Sequence, residues 1–194
     1  AAGIVQLDPV RKIAVLVGQR RPVVSHHFAD NDAGTLGQAA ADPVESDYYK
    51  IDAFPVPDGI VMETSGIEMM PDGKLAICSR RGDIYMLSNP YGDPAKIEWS
   101  LYAEGLHEPL NLSSKDGWLY CTQRGELTQI KDVDGDGRAD LFQTVNDGWG
   151  ITGDYHEYAF GTRPDANGDT WIVLCLTGSF NSDIDYRGWC VRVT

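Results

Sequence analysis

Three stretches of this chain can be laid over one another by their cysteines. The first runs Pro71-Asp72-Gly73-Lys74-Leu75-Ala76-Ile77-Cys78 and continues Ser79-Arg80-Arg81-Gly82-Asp83-Ile84. The second is Lys115-Asp116-Gly117-Trp118-Leu119-Tyr120-Cys121-Thr122-Gln123-Arg124-Gly125-Glu126-Leu127, one residue shorter between turn and strand. The third is Ala166-Asn167-Gly168-Asp169-Thr170-Trp171-Ile172-Val173-Leu174-Cys175. Each passes from Asp-Gly or Asn-Gly, a strong tight-turn signal, into a short apolar run that reads as a strand. In the first two an Arg-Gly step then leads through an acidic residue to the next aliphatic run. A repeat of roughly 40–50 residues made of several short strands is the signature of propeller blades. The 3.6-residue periodicity of a helical solenoid is lacking. A β-sandwich, or two hairpins alike by chance, are the competing explanations.

The expected fold is therefore all-β, a β-propeller with about three to four blades over residues 51–194. The preceding residues 1–50 are expected to form an arm with little regular structure. Within it Val10 to Val17 reads as a single strand, and His26 to Asp47 as an extended loop rich in Ala, Asp and Gly. Pro55-Val56-Pro57-Asp58-Gly59 closes the arm, and Ile60-Val61-Met62 is expected to open the blades. Closed propellers have about four to eight blades, so the chain is expected to supply an arc. The last stretch, Trp189-Cys190-Val191-Arg192-Val193-Thr194, reads as a strand with no turn after it. A longer parent, another polypeptide or another copy is expected to complete the ring.

Charge narrows the function. Sixteen Lys and Arg stand against 29 Asp and Glu, a formal charge of −13, and such a surface repels phosphate backbones and anionic membranes. Nucleic acid is not an expected partner. No apolar run approaches the roughly 20 residues of a membrane helix, so no membrane span is expected. Ala1-Ala2-Gly3 lacks the basic and apolar regions of a signal peptide but is compatible with what remains after cleavage. The four cysteines contain no C-x-x-C pair, which argues against zinc-ribbon, thioredoxin-like and haem-attachment motifs. An even count permits disulfides; the strand-like settings of Cys78, Cys121 and Cys175 favour buried free thiols. Patterns for a serine-hydrolase elbow, a P-loop or a dinucleotide fold are missing.

The most specific motif is Asp132-Val133-Asp134-Gly135-Asp136-Gly137-Arg138-Ala139-Asp140. Carboxylates at loop positions 1, 3, 5 and 9, with the Arg138 carbonyl at position 7, suit a hard cation that takes six to eight oxygens. Position 12 is Gln143 rather than the usual Glu, so that ligand must come from elsewhere. Uncompensated, four neighbouring carboxylates repel one another. Structural Ca2+ is the expected ligand, with an acidic surface turn as the plainer alternative. Gly105-Leu106-His107-Glu108-Pro109-Leu110 and Asp154-Tyr155-His156-Glu157-Tyr158 each set a His-Glu pair in a loop between strands. In a propeller such loops line one mouth of the channel, where His107 and His156 are candidate proton acceptors. Alternatively, each imidazole simply fixes its own loop. Arg81 and Arg124 occupy equivalent Arg-Gly positions and are expected to bind a neighbouring blade; Arg80 has no counterpart and is the candidate ligand-binding residue. Glu68 stands before an apolar strand as a possible channel carboxylate. His26-His27 is a metal pair by composition only.

Gly66-Ile67-Glu68, the Pro71 to Ala76 turn, Arg81-Gly82-Asp83-Ile84, Asn89-Pro90-Tyr91, the two His-Glu segments and the Asp132 to Asp140 loop resemble extracytoplasmic β-propeller proteins of planctomycetes and verrucomicrobia. These are similar to glucose/sorbosone dehydrogenases, the soluble quinoproteins. The resemblance covers roughly residues 48 to 194 and is most specific in the two His-Glu segments. It implies a ring of six or so blades and oxidation of a sugar or polyol. It further implies pyrroloquinoline quinone as cofactor, His107 or His156 as base, Arg80 against the quinone carboxylates, and a periplasmic or secreted setting. A haem motif is absent, so a c-type cytochrome acceptor would lie on another chain. The alternative is a non-catalytic, calcium-stabilised propeller that binds carbohydrate or protein, or a subunit of a larger assembly.

Overall fold

The computed structural model describes residues 4–6, 12–17, 48–153, 155–175 and 185–194. The chain divides into two compact units, Ala1–Pro55 and Val56–Thr194. In the first, β1 (Ile4–Gln6), β2 (Lys12–Val17) and β3 (Lys50–Pro55) form an antiparallel sheet in the order β1-β2-β3. β2 falls within the strand expected over residues 10–17. Residues 18–47, with His26 and His27, lie outside the described residues.

The second unit is built of three meanders. β4 (Thr64–Met69), β5 (Leu75–Ser79), β6 (Ile84–Leu87) and β7 (Trp99–Ala103) form one four-stranded sheet in sequence order. β8 (Asn111–Lys115), β9 (Trp118–Thr122), β10 (Leu127–Lys131) and β11 (Leu141–Asn146) form the next. β12 (Ala159–Pro164), β13 (Thr170–Leu174) and β14 (Cys190–Val193) form a three-stranded sheet. Every neighbouring pair is antiparallel. The first strands, β4, β8 and β12, lie beside one another in turn. Sequential meanders with adjoining first strands are propeller blades, and the described residues form three of them as an arc. The described residues contain no α-helix, only one 3-10 turn at Pro94–Lys96, and no helix among them is long and apolar enough to cross a membrane.

The repeated sequence is the first hairpin turn plus the second strand of each blade. At Gly73 the backbone takes φ of +86° and its N–H bonds the Met70 carbonyl at 2.9 Å. In the second blade Asp116 and Gly117 both have positive φ, 52° and 78°. That is a two-residue turn whose twist matches the strands, and it accounts for the missing residue in that repeat. The opening strand differs from the expectation. Ile60-Val61-Met62 lies outside the sheets, after a turn in which Ile60 N–H bonds the Pro57 carbonyl at 3.3 Å; the blade begins at Thr64.

Apolar layers join the blades. Ala76, Cys78, Ile84 and Met86 of the first pack with Leu112, Leu119, Cys121 and Ile130 of the second. Leu127 and Trp149 pack with Ala159, Ile172 and Leu174 of the third. Burying each large aliphatic side chain is worth about 1.5–3 kcal/mol. β13 shows the pattern this requires: Thr170, Ile172 and Leu174 buried, Trp171 and Val173 exposed. Close approach of the first strands depends on Gly66, where a Cβ would stand 2.7 Å from the Asn111 Cα.

Polar clips complete the seams. Glu68, within β4 and not before a strand as expected, accepts the Ser114 N–H and hydroxyl, both at 2.9 Å, and faces Arg163 of β12 at 3.6 Å. The Ser65 hydroxyl bonds the Pro109 carbonyl, and Lys115 Nζ reaches the Gly168 carbonyl at 2.6 Å. None of the four cysteines is in a disulfide: Cys78 and Cys121 are buried, Cys175 is half-buried and Cys190 is exposed. Burial pushes the Cys78 thiol up to about 11 and the Cys121 thiol well above its ordinary value.

Candidate functional site

Strands that alternate in direction bring every second connection to the same end of a blade. The turn from Ser79 to Asp83, closed by the Ser79 N–H on the Asp83 carbonyl at 2.8 Å, presents Arg80 and Arg81. The matching turn of the second blade, closed by Gln123 N–H on the Glu126 carbonyl at 2.8 Å, presents Arg124. The connectors at 104–110 and 147–158 arrive at this end too, carrying His107-Glu108 and His156-Glu157. His107, His156 and Arg80 thus share one end of the arc. The loop at 132–140 leaves the second blade from the opposite end of β10 and returns toward the connector at 104–110 through Arg138, which pairs with Glu104 at 3.0 Å.

Arg124 holds the centre of this end. Its Nη1 pairs with Glu108 Oε2 at 2.8 Å, its Nε donates to the Glu157 carbonyl at 3.2 Å, and its guanidinium lies 5.2 Å over the Tyr158 ring. Its backbone N–H bonds the His107 carbonyl at 3.1 Å, and its own carbonyl accepts Trp149 Nε1 at 3.1 Å. Arg81 makes the equivalent pair with Glu63 at 3.2 Å, the carboxylate ahead of its own blade. Arg80 reaches Glu63 at 3.5 Å and the Tyr158 hydroxyl of the third blade at 3.3 Å. The Tyr158 oxygen, ahead of Glu63 and Glu108, raises its already high pKa.

Beside Arg124 is a cleft of about 490 Å³ walled by Leu106, His107, Gln123, Glu126, Phe142 and Ile151. The His107 imidazole is exposed while its backbone N–H is tied to Gln123 Oε1. Gln123 Nε2 donates to Glu126 Oε1 at 2.9 Å, and the Thr144 hydroxyl donates to Glu126 Oε2 at 3.0 Å. One wall is therefore a fixed carboxylate, the other apolar. His156 stands outside the cleft, half-buried, edge-on to Tyr155 at 4.4 Å. Glu157 is fully buried and accepts the Thr152 N–H and hydroxyl, which anchors its connector. Gln123, Glu126 and Tyr158 are not marked by the sequence alone. The first two are visible there only as turn residues, and Tyr158 matters through a contact with Arg80 that spans 78 residues.

In the acidic loop, carboxylate oxygens of Asp132, Asp134 and Asp136 all lie within 4.8 Å of one another. The backbone folds them inward: Gly135 N–H and Gly137 N–H donate to Asp132 at 2.7 and 2.9 Å, and Arg138 N–H donates to Asp136 at 2.7 Å. Asp140 stands apart from this trio and accepts the Val133 N–H at 2.6 Å. Arg138 turns its side chain to Glu104 at 3.0 Å, and Gln143 accepts Gln129 Nε2 at 2.8 Å across the strands. Three carboxylates can hold a divalent cation; Asp140 closes the loop.

No family model matches the chain, and no curated protein matches it in sequence. Among solved structures it is similar to a Thermus thermophilus protein, provisionally described as an oxidoreductase (glucose dehydrogenase), with a TM-score of 0.52 and 17% identity. The likeness covers 69% of this chain and 44% of that one, so the chain spans less than half the length of the protein it matches. At this identity the likeness is one of fold, and it agrees with an arc of blades resembling those of a glucose dehydrogenase.

Proposed function

We propose that the chain is part of a sugar or polyol dehydrogenase of quinoprotein type, similar to the extracytoplasmic propellers named above, with His107 as the base. The observation that carries this reading is the cleft in which an exposed imidazole faces a pinned carboxylate and an apolar wall. A ring of carbon and hydroxyl suits such a lining: Phe142 and Ile151 cover its apolar face, Glu126 accepts a hydroxyl, and His107 takes the proton of the hydroxyl being oxidised.

Pyrroloquinoline quinone, when bound, supplies the two-electron acceptor. Arg80 and Arg81 share the Glu63 carboxylate, and their guanidiniums are the groups that would meet the carboxylates of the quinone. The cleft is lined by no Lys or Arg and suits the neutral substrate. Asp132, Asp134 and Asp136 would hold Ca2+ at the far end of the blade as a structural ion. A periplasmic or secreted setting, a cytochrome on another chain as acceptor, and another chain or copy that completes the ring belong to the same reading.

The test is turnover of a sugar panel by the protein supplied with Ca2+, pyrroloquinoline quinone and an artificial electron acceptor. His107→Gln is expected to lower kcat/KM about 10²–10⁴-fold with the melting temperature unchanged. Absence of both turnover and quinone absorbance would remove the reading. Equal activity of the variant would remove His107 from it.

A further inference from the structure

The structure assigns Arg124 as a positioning residue that couples the two His-Glu connectors, so that their placement is one variable and not two. The assignment concerns the end of the arc on which the proposed activity rests, but its evidence is independent of any turnover. Arg124 touches both connectors: a 2.8 Å ion pair with Glu108, a 3.2 Å bond to the Glu157 carbonyl, and its backbone N–H on the His107 carbonyl at 3.1 Å. The ion pair is shielded, with side-chain exposures of 15% and 26%, whereas the equivalent Arg81–Glu63 pair is open at 54% and 42%. A shielded, charge-assisted pair holds its geometry; an open one is screened and mobile.

The planar fork is what permits the bridge. One edge of the guanidinium serves Glu108 on the connector before the second blade, while Nε serves Glu157 on the connector before the third. Its flat face lies over Tyr158, next in sequence to Glu157 and the partner of the Arg80 guanidinium. Lysine has one ammonium on a flexible stem and cannot serve both partners in that geometry. A movement of either connector therefore strains the bonds that hold the other.

Amide hydrogen exchange on Arg124→Met, Arg124→Lys and Lys115→Met decides the matter, read together with the imidazole Cε1 proton shifts of His107 and His156. Lys115→Met breaks a comparable blade-to-blade contact, Nζ to the Gly168 carbonyl, at the opposite end. In Arg124→Met, exchange at residues 105–108 and at 155–158 is expected to rise together, about tenfold, with both imidazole resonances displaced. Arg124→Lys is expected to keep protection at 105–108 and lose it at 155–158. Lys115→Met is expected to leave both connectors as they are. Release of only one connector by Arg124→Met, or the same response from Lys115→Met, would overturn the assignment. If Arg124→Met does not fold, Arg124→Lys decides alone: protection lost or kept at both connectors would overturn it. A protein that shows this pattern and oxidises no sugar would retain the coupling and lose the proposed activity.

Discussion

A thiol whose pKa rises to about 11 on folding gives the stability of this protein a definite alkaline slope. Unfolded, the Cys78 thiol ionises near its ordinary value of 9.0; folded, burial keeps the proton on until about 11. Between these values the folded state binds more protons than the unfolded one, so stability is complete below pH 9 and is lost as pH climbs toward 11. The slope is about 1.4 kcal/mol per pH unit for each such thiol, and Cys121 shifts in the same direction by burial. Denaturant titrations at pH 8 and pH 10 are expected to show a drop of this order, reduced in Cys78→Ala once the variant's own cavity cost is subtracted. The same burial makes a chemical prediction. A thiol-alkylating reagent at pH 8 is expected to label exposed Cys190 in the native protein, and Cys78 and Cys121 only in denaturant. Rapid native labelling of Cys78 would contradict its place in the core.

Among the elements, the first strands of the blades carry the tightest constraint. Gly66 lets β4 lie against β8, since a Cβ there would meet the Asn111 Cα at 2.7 Å and the Cys78 Sγ at 3.0 Å. Backbone cannot yield as a side-chain tip does, so Gly66→Ala is expected to cost about 1–3 kcal/mol by chemical denaturation. A neutral result would mean that the seam between these blades is loose. These same strands explain what the sequence conceals. The second strands are legible because an Asp-Gly or Asn-Gly turn precedes an apolar run that ends at or beside a cysteine. β4, β8 and β12 read Thr-Ser-Gly-Ile-Glu-Met, Asn-Leu-Ser-Ser-Lys and Ala-Phe-Gly-Thr-Arg-Pro. Their small and polar residues make the clips between blades, such as Ser65 to Pro109 and Ser114 to Glu68. Close approach calls for small residues in these strands, which leaves the β-branched pattern by which a strand is recognised thin. The apolar Ile60 to Met62 run draws the blade boundary too early for the same reason. At the site, the His-Glu pairs are visible as motifs. The role of Arg124 is legible in part: the Arg-Gly equivalence predicts a bond toward the neighbouring blade, which Arg124 makes at the Glu157 carbonyl, whereas Arg81 pairs with Glu63 ahead of its own blade.

At the level of the whole molecule, the acidic loop adds polar links to the apolar layer that joins the first two blades. It closes the outer hairpin of the second blade, and it grips the outermost strand of the first through Ala139 N–H to the Tyr102 carbonyl at 2.8 Å and the connector after that strand through Arg138 to Glu104 at 3.0 Å. An ion held by Asp132, Asp134 and Asp136 would therefore stabilise two blades together. A ligand at 100 times its Kd adds about 2.7 kcal/mol, or roughly 5–10 °C in Tm for a domain of this size. Chelation with EDTA is expected to lower the Tm by this amount, and Asp134→Ala is expected to abolish the sensitivity. A melt indifferent to chelator would leave the loop as an acidic turn.

The residues proposed for chemistry all stand on segments that join strands, whereas the ladders beneath them are held by turns, thiols and aliphatic layers of their own. Two kinds of inheritance can therefore proceed separately in this molecule. The sheets can drift among apolar sequences of similar volume while the residues of the proposed site stay constant, and a connector such as 147–158 can be exchanged for one of different length or content without rethreading a hydrogen-bond ladder. A family descended from such a chain would be expected to diversify in what it recognises far faster than in how it is folded.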